Sequence, residues 1–278
     1  SVAAAVAQAQ AALSGSQDPS DIKQRTHRPR TVTGAAAQLG DANLALISVA
    51  GQYAADVARE ALGADLHVFL FSDNVSIEEE IALKELGRQQ GRLVMGPDAG
   101  TATINGQALG FANNILTTPP AQGGVGIVAA SGTGLQAVTT QLTQRGIGVT
   151  QAIGTGGRDL SAEVGGIMMV EAIKALQSDP ETQVLLLVSK PPAPEVAQTV
   201  LNTVRDSNKP TVVCFLGGKK RIIRDAGGIA AKDLEKAAAM AANLATGGKP
   251  ERALKALKKR NRELKAQAKE LRASLTNG

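Results

Sequence analysis

The chain has 278 residues, 43% of them apolar and 20% charged, which is enough to bury a sizeable core and too apolar for wholesale disorder. No stretch approaches about twenty uninterrupted apolar residues, which excludes a membrane-spanning helix, and the absence of Trp with only 2% aromatics excludes base-stacking recognition of single strands. The net charge of +5 is uneven: residues 249–278 carry ten Lys/Arg and three Asp/Glu, a local +7, which leaves residues 1–248 at −2.

Cys214 is the only cysteine. That excludes an internal disulfide or a thiolate metal cluster and suits a reducing, cytoplasmic setting. No charged leader with an apolar heart heads the chain, so secretion is not expected. Ser1 in place of a Met reads as a chain processed or cut from a longer one.

Residues 1–13 are Ala-rich and predict a short helix. Gly15 to Arg30, with Pro19 and Pro29, predict a linker, so residues 1–40 form an N-terminal helix and linker. From Asn43 strands and helices alternate. Strands are expected at Leu44–Val49, Leu66–Phe71 and Arg92–Met95, with helices after Gly51 and after Ser72-Asp73-Asn74. Glu78, Glu79 and Glu80 in a first turn suit a helix N-terminus. Thr101 to Gln122 predict loop, with Pro119-Pro120 marking a domain boundary.

The pattern then restarts. Strands are expected near Val125–Ala129, Gly148–Ile153, Val184–Val188 and Thr211–Leu216. Helices are expected near Gly134–Gln144, Ser161–Gln177, Pro194–Ser207 and Lys232–Ala245. Such alternation implies parallel sheets with right-handed crossovers. The expected architecture is therefore α/β, with a Rossmann-like domain over 41–120 and a flavodoxin-like domain over 121–248. The basic tail over 249–278 spaces Leu254, Leu257, Asn261, Leu264, Ala268, Leu271 and Leu275 as a heptad seam. It reads as an amphipathic helix that packs on its own domain, connects to another, or pairs as a short coiled coil.

Open α/β sheets bind ligands beyond the carboxyl ends of their strands, where three loops are unusual. Ser131-Gly132-Thr133-Gly134 offers small residues and free N–H groups at a helix start, which attract anions. Gly154-Thr155-Gly156-Gly157-Arg158-Asp159 adds a guanidinium able to grip a carboxylate or phosphate. Gly217-Gly218-Lys219-Lys220 follows the last strand, and Lys190 offers a fixed cation after the third strand of the second unit. Each loop alone is ordinary turn chemistry; together they point to an anion site.

Named motifs fail. No Walker A ending occurs, Asp159 stands where a dinucleotide fingerprint needs its last Gly, and Ala129 and Thr133 stand where a nucleophile elbow needs glycines. His27 and His67, the only histidines, fall in a linker and a strand, which argues against a Ser–His–acid triad. Met168, Met169 and Ile173 at helical spacing read as core. No cluster has metal-ligand spacing.

Three segments together resemble the α subunit of succinyl-CoA synthetase, and more closely the FdrA family of acyl-CoA synthetase-like proteins. These are Gly96-Pro97-Asp98-Ala99-Gly100-Thr101, Gly126 to Gly134, and Gly154 to Leu160 with Glu163-Val164-Gly165-Gly166 and Val188-Ser189-Lys190-Pro191-Pro192. The resemblance covers about 41–245. It implies a CoA-binding-type domain over 41–120, incomplete because the glycine-rich CoA loop is not visible, and a ligase-type domain over 121–248. The synthetase's phosphorylated His has no counterpart: the matching place reads Arg224-Asp225-Ala226-Gly227-Gly228. Its orienting Glu is replaced by Ser189-Lys190. The resemblance therefore implies carbamoyl transfer between carbamoyl phosphate and oxamate in allantoin breakdown, with partner subunits or a homo-oligomer and without a covalent histidine. In that reading Arg158 and Lys190 are catalytic. The phosphate and carboxylate sit among Ser131, Gly132, Thr133, Gly134, Gly154, Thr155, Gly156, Gly157, Asp159, Gly217 and Gly218. Two alternatives stand beside it: a non-catalytic subunit binding CoA or a nucleotide, and a structural assembly subunit using the tail. Specific nucleic-acid or membrane binding is not expected.

Overall fold

Two sheets take up the apolar runs. The structure, a computed structural model, describes residue 6, residues 29–112 and residues 124–275. The expected N-terminal helix, His27 and the Pro119-Pro120 boundary lie outside the described residues.

Contacts separate residues 1–42 from residues 43–278. In the first unit, part of the expected linker is a helix, α1 (Val32–Leu39), whose N-cap Thr31 accepts from the Gly34 N–H. None of its residues is buried, so it shows no apolar periodicity to read in the sequence.

In the second unit, β1 (Leu44–Ile47), β2 (His67–Leu70) and β3 (Val94–Met95) form a parallel sheet in that order. The crossovers are α2 (Gly51–Gly63) and α3 (Ile77–Gln90). A capping box starts α3: Ser76 accepts from the Glu79 N–H and the Glu79 carboxylate returns to the Ser76 N–H.

Among the described residues the second sheet has seven strands, ordered β10-β9-β8-β6-β7-β4-β5. They are β4 (Thr101–Ile104), β5 (Gln107–Gly110), β6 (Gly124–Ala129), β7 (Val149–Gly154), β8 (Thr182–Ser189), β9 (Thr211–Phe215) and β10 (Ile229–Ala230). Strands β6 to β10 run parallel, with β6 between β7 and β8, the flavodoxin-like order. β8 is buried at all but one of its positions, as a strand covered on both faces must be. Leu185 and Leu187 face one core cluster, with Ile173 and Leu176 of α5 (Ile167–Ser178) and Val196 and Val200 of α6 (Pro194–Arg205). Val184, Leu186 and Val188 face the other, with Leu135, Val138 and Leu142 of α4 (Gly132–Thr143) and the alanines of α8 (Leu234–Ala245). Phe69 and Met95 of the first sheet join the α5 side.

The expected loop at 101–110 is instead a hairpin. β4 pairs antiparallel with β5 and, at Thr103–Ala152, with β7. Asn105 and Gly106 turn it with φ of 48° and 76°, the paired positive φ that an Asn-Gly hairpin turn supplies. The second sheet thus recruits strands from the segment expected to end the first domain. The expected helix from Ser161 starts only at Ile167, because Gly165 and Gly166 have φ of 76° and 75°. Two further elements follow β9: a short helix, α7 (Lys220–Asp225), and the edge strand β10. Cys214 is fully buried, and burial pushes its thiol up to about 11, so it behaves as a packed apolar side chain.

The tail is one helix, α9 (Pro250–Ser274), which packs on α8 through Ala253 and Leu257. Every described residue after Leu257 is exposed.

Candidate functional site

Backbone hydrogen bonds hold the carboxyl ends of four neighbouring strands level. The Thr155 N–H donates to Ala129 O at 2.9 Å, the Ala130 N–H to Val188 O at 3.1 Å, and the Leu216 N–H to Ser189 O at 2.9 Å. The loops at Ser131, Thr155, Lys190 and Gly217 therefore leave one edge, as expected. From β6 the chain goes first to β7 on one side and then to β8 on the other. This reversal falls between the Ser131 and Lys190 loops, the position at which open α/β sheets take ligands.

Ser131 is the N-cap of α4, and its Oγ accepts from the Gly134 N–H at 3.2 Å. The first turn has no acidic residue. Helical geometry leaves the N–H groups of Gly132 and Thr133, both exposed, without an intrahelical acceptor. Gly134 is there for space: a Cβ would lie 2.9 Å from Val188 Cγ1. This helix start sits close on β8, uncapped by acid, with the positive end of its dipole outward.

The second loop is organised differently. Gly154 lies so close to the hairpin that a Cβ would sit 2.5 Å from Thr101 O, and at Gly156, with φ 92°, a Cβ would sit 2.8 Å from Pro97 O. The Asp159 carboxylate is fully buried and caps α5, accepting from Met169 N–H at 2.8 Å and Met168 N–H at 3.3 Å. It also takes Lys84 Nζ at 2.8 Å. Lys84, itself fully buried, donates further to Glu80 Oε1 at 2.7 Å and to Thr155 O at 2.9 Å. Arg158 closes the network, with Nε 2.7 Å from Glu80 Oε2 and Nη2 donating to Val75 O at 2.8 Å.

These contacts show where both residues sit. The Asp159 carboxylate is taken up by the α5 N-terminus and by Lys84, and as an anion it would repel a second one there. The Arg158 guanidinium ties the loop to α3 through Nε and Nη2, while its side chain stays 45% exposed. Thr155, Gly156 and Gly157 are left at the edge; Thr155 Oγ1 is buried with no hydrogen-bond partner among the described residues. Lys190 and Gly217 are exposed and Gly218 is half-buried, all at the expected edge.

Sequence reasoning missed Glu80 and Lys84. Their Glu-to-Lys spacing of four was visible as an ordinary helix pair. Nothing local showed that it would be buried against a residue 75 positions away. Arg224 lines a separate cavity of about 450 Å³ with Lys220, Lys232 and Lys258. Among the described residues no group of three His, Cys, Asp or Glu could hold a metal.

His67 is a packing residue, as expected. Its Nδ1 accepts from the Leu93 N–H at 2.9 Å, so the neutral ring carries its proton on Nε2. Burial, aided by the Arg92 guanidinium, holds its pKa below the usual 6.5. Between the folded pKa and 6.5 the unfolded chain therefore binds more protons. This contribution to stability is present at neutral pH and is lost as pH falls through that window. Denaturant midpoints between neutral and mildly acidic pH should show this step. His67→Leu should remove it and cost about 1 kcal/mol at neutral pH for the orphaned Leu93 N–H. An unchanged acid step in that variant would assign it to other groups.

A family model described as the CoA binding domain matches residues 121–217, the segment that carries β6 to β9. The Escherichia coli protein YahF, itself uncharacterized, is 49% identical over 189 residues, 68% of this chain and 36% of YahF. Among solved structures, the dinucleotide forming acetyl-coenzyme A synthetase 1 of Ca. Korarchaeum cryptofilum, in complex with phosphate and ADP, superposes with a TM-score of 0.58 at 17% identity. That match covers 78% of this chain and 51% of the synthetase. ATP citrate lyase of Methanothrix soehngenii, in complex with citrate and coenzyme A, has a TM-score of 0.58 at 20% identity, covering 77% of this chain and 36% of the lyase. The fold is that of acyl-CoA synthetase-like proteins, and the chain spans between about a third and a half of the length of these relatives.

Proposed function

We propose that the chain is an acyl-CoA synthetase-like subunit of FdrA type that holds the phosphate of a small acyl or carbamoyl phosphate at the start of α4 and transfers the group without a phosphohistidine. One observation carries this reading: the α4 N-terminus lies at the strand-order reversal with no acid in its first turn, whereas the chain's own Asp159 fills the corresponding place at α5. With carbamoyl phosphate and oxamate, the oxamate nitrogen attacks the carbamoyl carbon. A C–N bond forms, the C–O bond to phosphate breaks, and phosphate leaves with the bonding pair and takes up the proton that the nitrogen gives up. The Gly132 and Thr133 N–H groups bind the phosphate, and Lys190 supports the charge that grows on it. Arg158 and Asp159 keep the neighbouring glycine loop in place for the second substrate.

A second reading, a CoA- or nucleotide-binding subunit without its own catalysis, is favoured by the CoA binding domain match over 121–217. A thermal-shift panel separates the two. A ligand at about a hundredfold excess over its Kd stabilises the folded state by about 2.7 kcal/mol, a rise of several degrees. Carbamoyl phosphate and phosphate are expected to give that rise. A rise with CoA or ATP alone selects the second reading, and no rise with any of them removes both.

A further inference from the structure

The apolar seam of α9 begins buried and ends in solvent. Ala253 and Leu257 are buried against the body, and Leu264, Leu271 and Leu275, on the same face at heptad spacing, are 51%, 64% and 65% exposed. Beyond Leu257 about 25 Å of helix carries this seam with nothing against it among the described residues. The flanks of the seam have one sign. Lys258, Lys265 and Arg272 recur every seventh residue along one side, and Arg260, Gln267 and Ser274 along the other. No acid occupies a flanking position; Glu263 and Glu270 lie on the outer face. A second copy of α9 laid on this seam would set cations against cations, which disfavours self-pairing. At its base the flank already accepts an acid: Arg260 pairs with Glu235 of α8.

From these observations we propose that the exposed part of α9 docks an acidic amphipathic helix of another polypeptide, its apolar face on Leu264, Ala268 and Leu271 and its carboxylates on Lys258, Lys265 and Arg272. The argument is independent of the anion site on β6 to β9. Leucines at the seam supply affinity and the single-signed flanks supply choice of partner.

The test uses the chain with two synthetic helical probes that share a leucine seam, one flanked by Glu and the other by Lys, read by fluorescence anisotropy. The Glu-flanked probe should bind more than about tenfold tighter at low salt, with the difference shrinking at high salt. Leu264→Asp with Leu271→Asp should weaken it at least about tenfold without changing the melting of the body, since both side chains are exposed. Lys265→Glu with Arg272→Glu should reverse the preference between probes. Equal binding of both probes overturns the proposal. So does a chain that sediments as a dimer and becomes monomeric on Leu264→Asp with Leu271→Asp, because the seam then belongs to a second copy. Binding of single-stranded DNA or phosphatidylserine vesicles more tightly than the Glu-flanked probe, unaffected by the leucine substitutions, also overturns it.

Discussion

Lys84→Met is expected to destabilise the chain by about 3–5 kcal/mol, the usual effect of removing one partner from a buried ion cluster. Glu80 and Asp159 are 1% and 0% exposed and meet on the Lys84 ammonium. Methionine matches the length of the lysine but leaves two carboxylates with only Arg158 to balance them, and Thr155 O loses its donor. The effect can be separated from simple loss of packing. Asp159→Asn removes a charge while its amide oxygen can still accept from the Met169 N–H. In the Lys84→Met background it should therefore recover part of the loss, giving a coupling energy above about 1 kcal/mol in a double-mutant cycle. Urea unfolding of the four proteins measures this. A Lys84→Met variant within about 0.5 kcal/mol of the parent would mean that the ammonium does not hold these carboxylates together.

Gly132→Asp is expected to abolish the thermal shift given by phosphate or carbamoyl phosphate, through at least about a hundredfold loss of affinity, while leaving the fold intact. The nearest atom to a Cβ at this position is Thr101 Oγ1, 4.0 Å away, so the side chain fits. A carboxylate in the first turn of α4 satisfies the free N–H groups and gains about 0.3–1 kcal/mol from the helix dipole, so the ligand-free melting temperature should hold or rise. The new carboxylate would stand at α4 as Asp159 stands at α5, competing with any external anion. Gly132→Ser serves as the uncharged control. If the Gly132→Asp variant kept the full ligand shift, the anion would be bound elsewhere and the proposed site would fall.

Much of the fold was legible because its signals are local. The strands β6 to β9 announced themselves as short apolar runs, and the helices between them as longer periodic stretches. The β4–β5 hairpin carries a local signal too, because Asn105-Gly106 is a strong turn pair, although the stretch around it reads as loop. α1 gave no signal because it buries nothing. At the candidate site, the Ser131 loop could be read as a helix start from its residues alone. The division of labour between the two glycine loops could not. Both show glycines before a helix, and only the destination of the Arg158 and Asp159 side chains separates an open N-terminus from one already filled.

The sequence by itself determined the alternation that makes an α/β chain, the edge at which its loops gather, and the split between a faintly acidic body and a basic tail. These follow from residue type and from periods of two and 3.6, which act over a few neighbours. Only the tertiary structure decided that the hairpin joins the second sheet, that Lys84 is buried between Glu80 and Asp159, and that the seam of α9 leaves the body after Leu257. Each of these depends on which surfaces meet across long chain separations. A buried charge, unlike an apolar run, has no local signature: its burial is tolerable only because partners from distant elements converge on it.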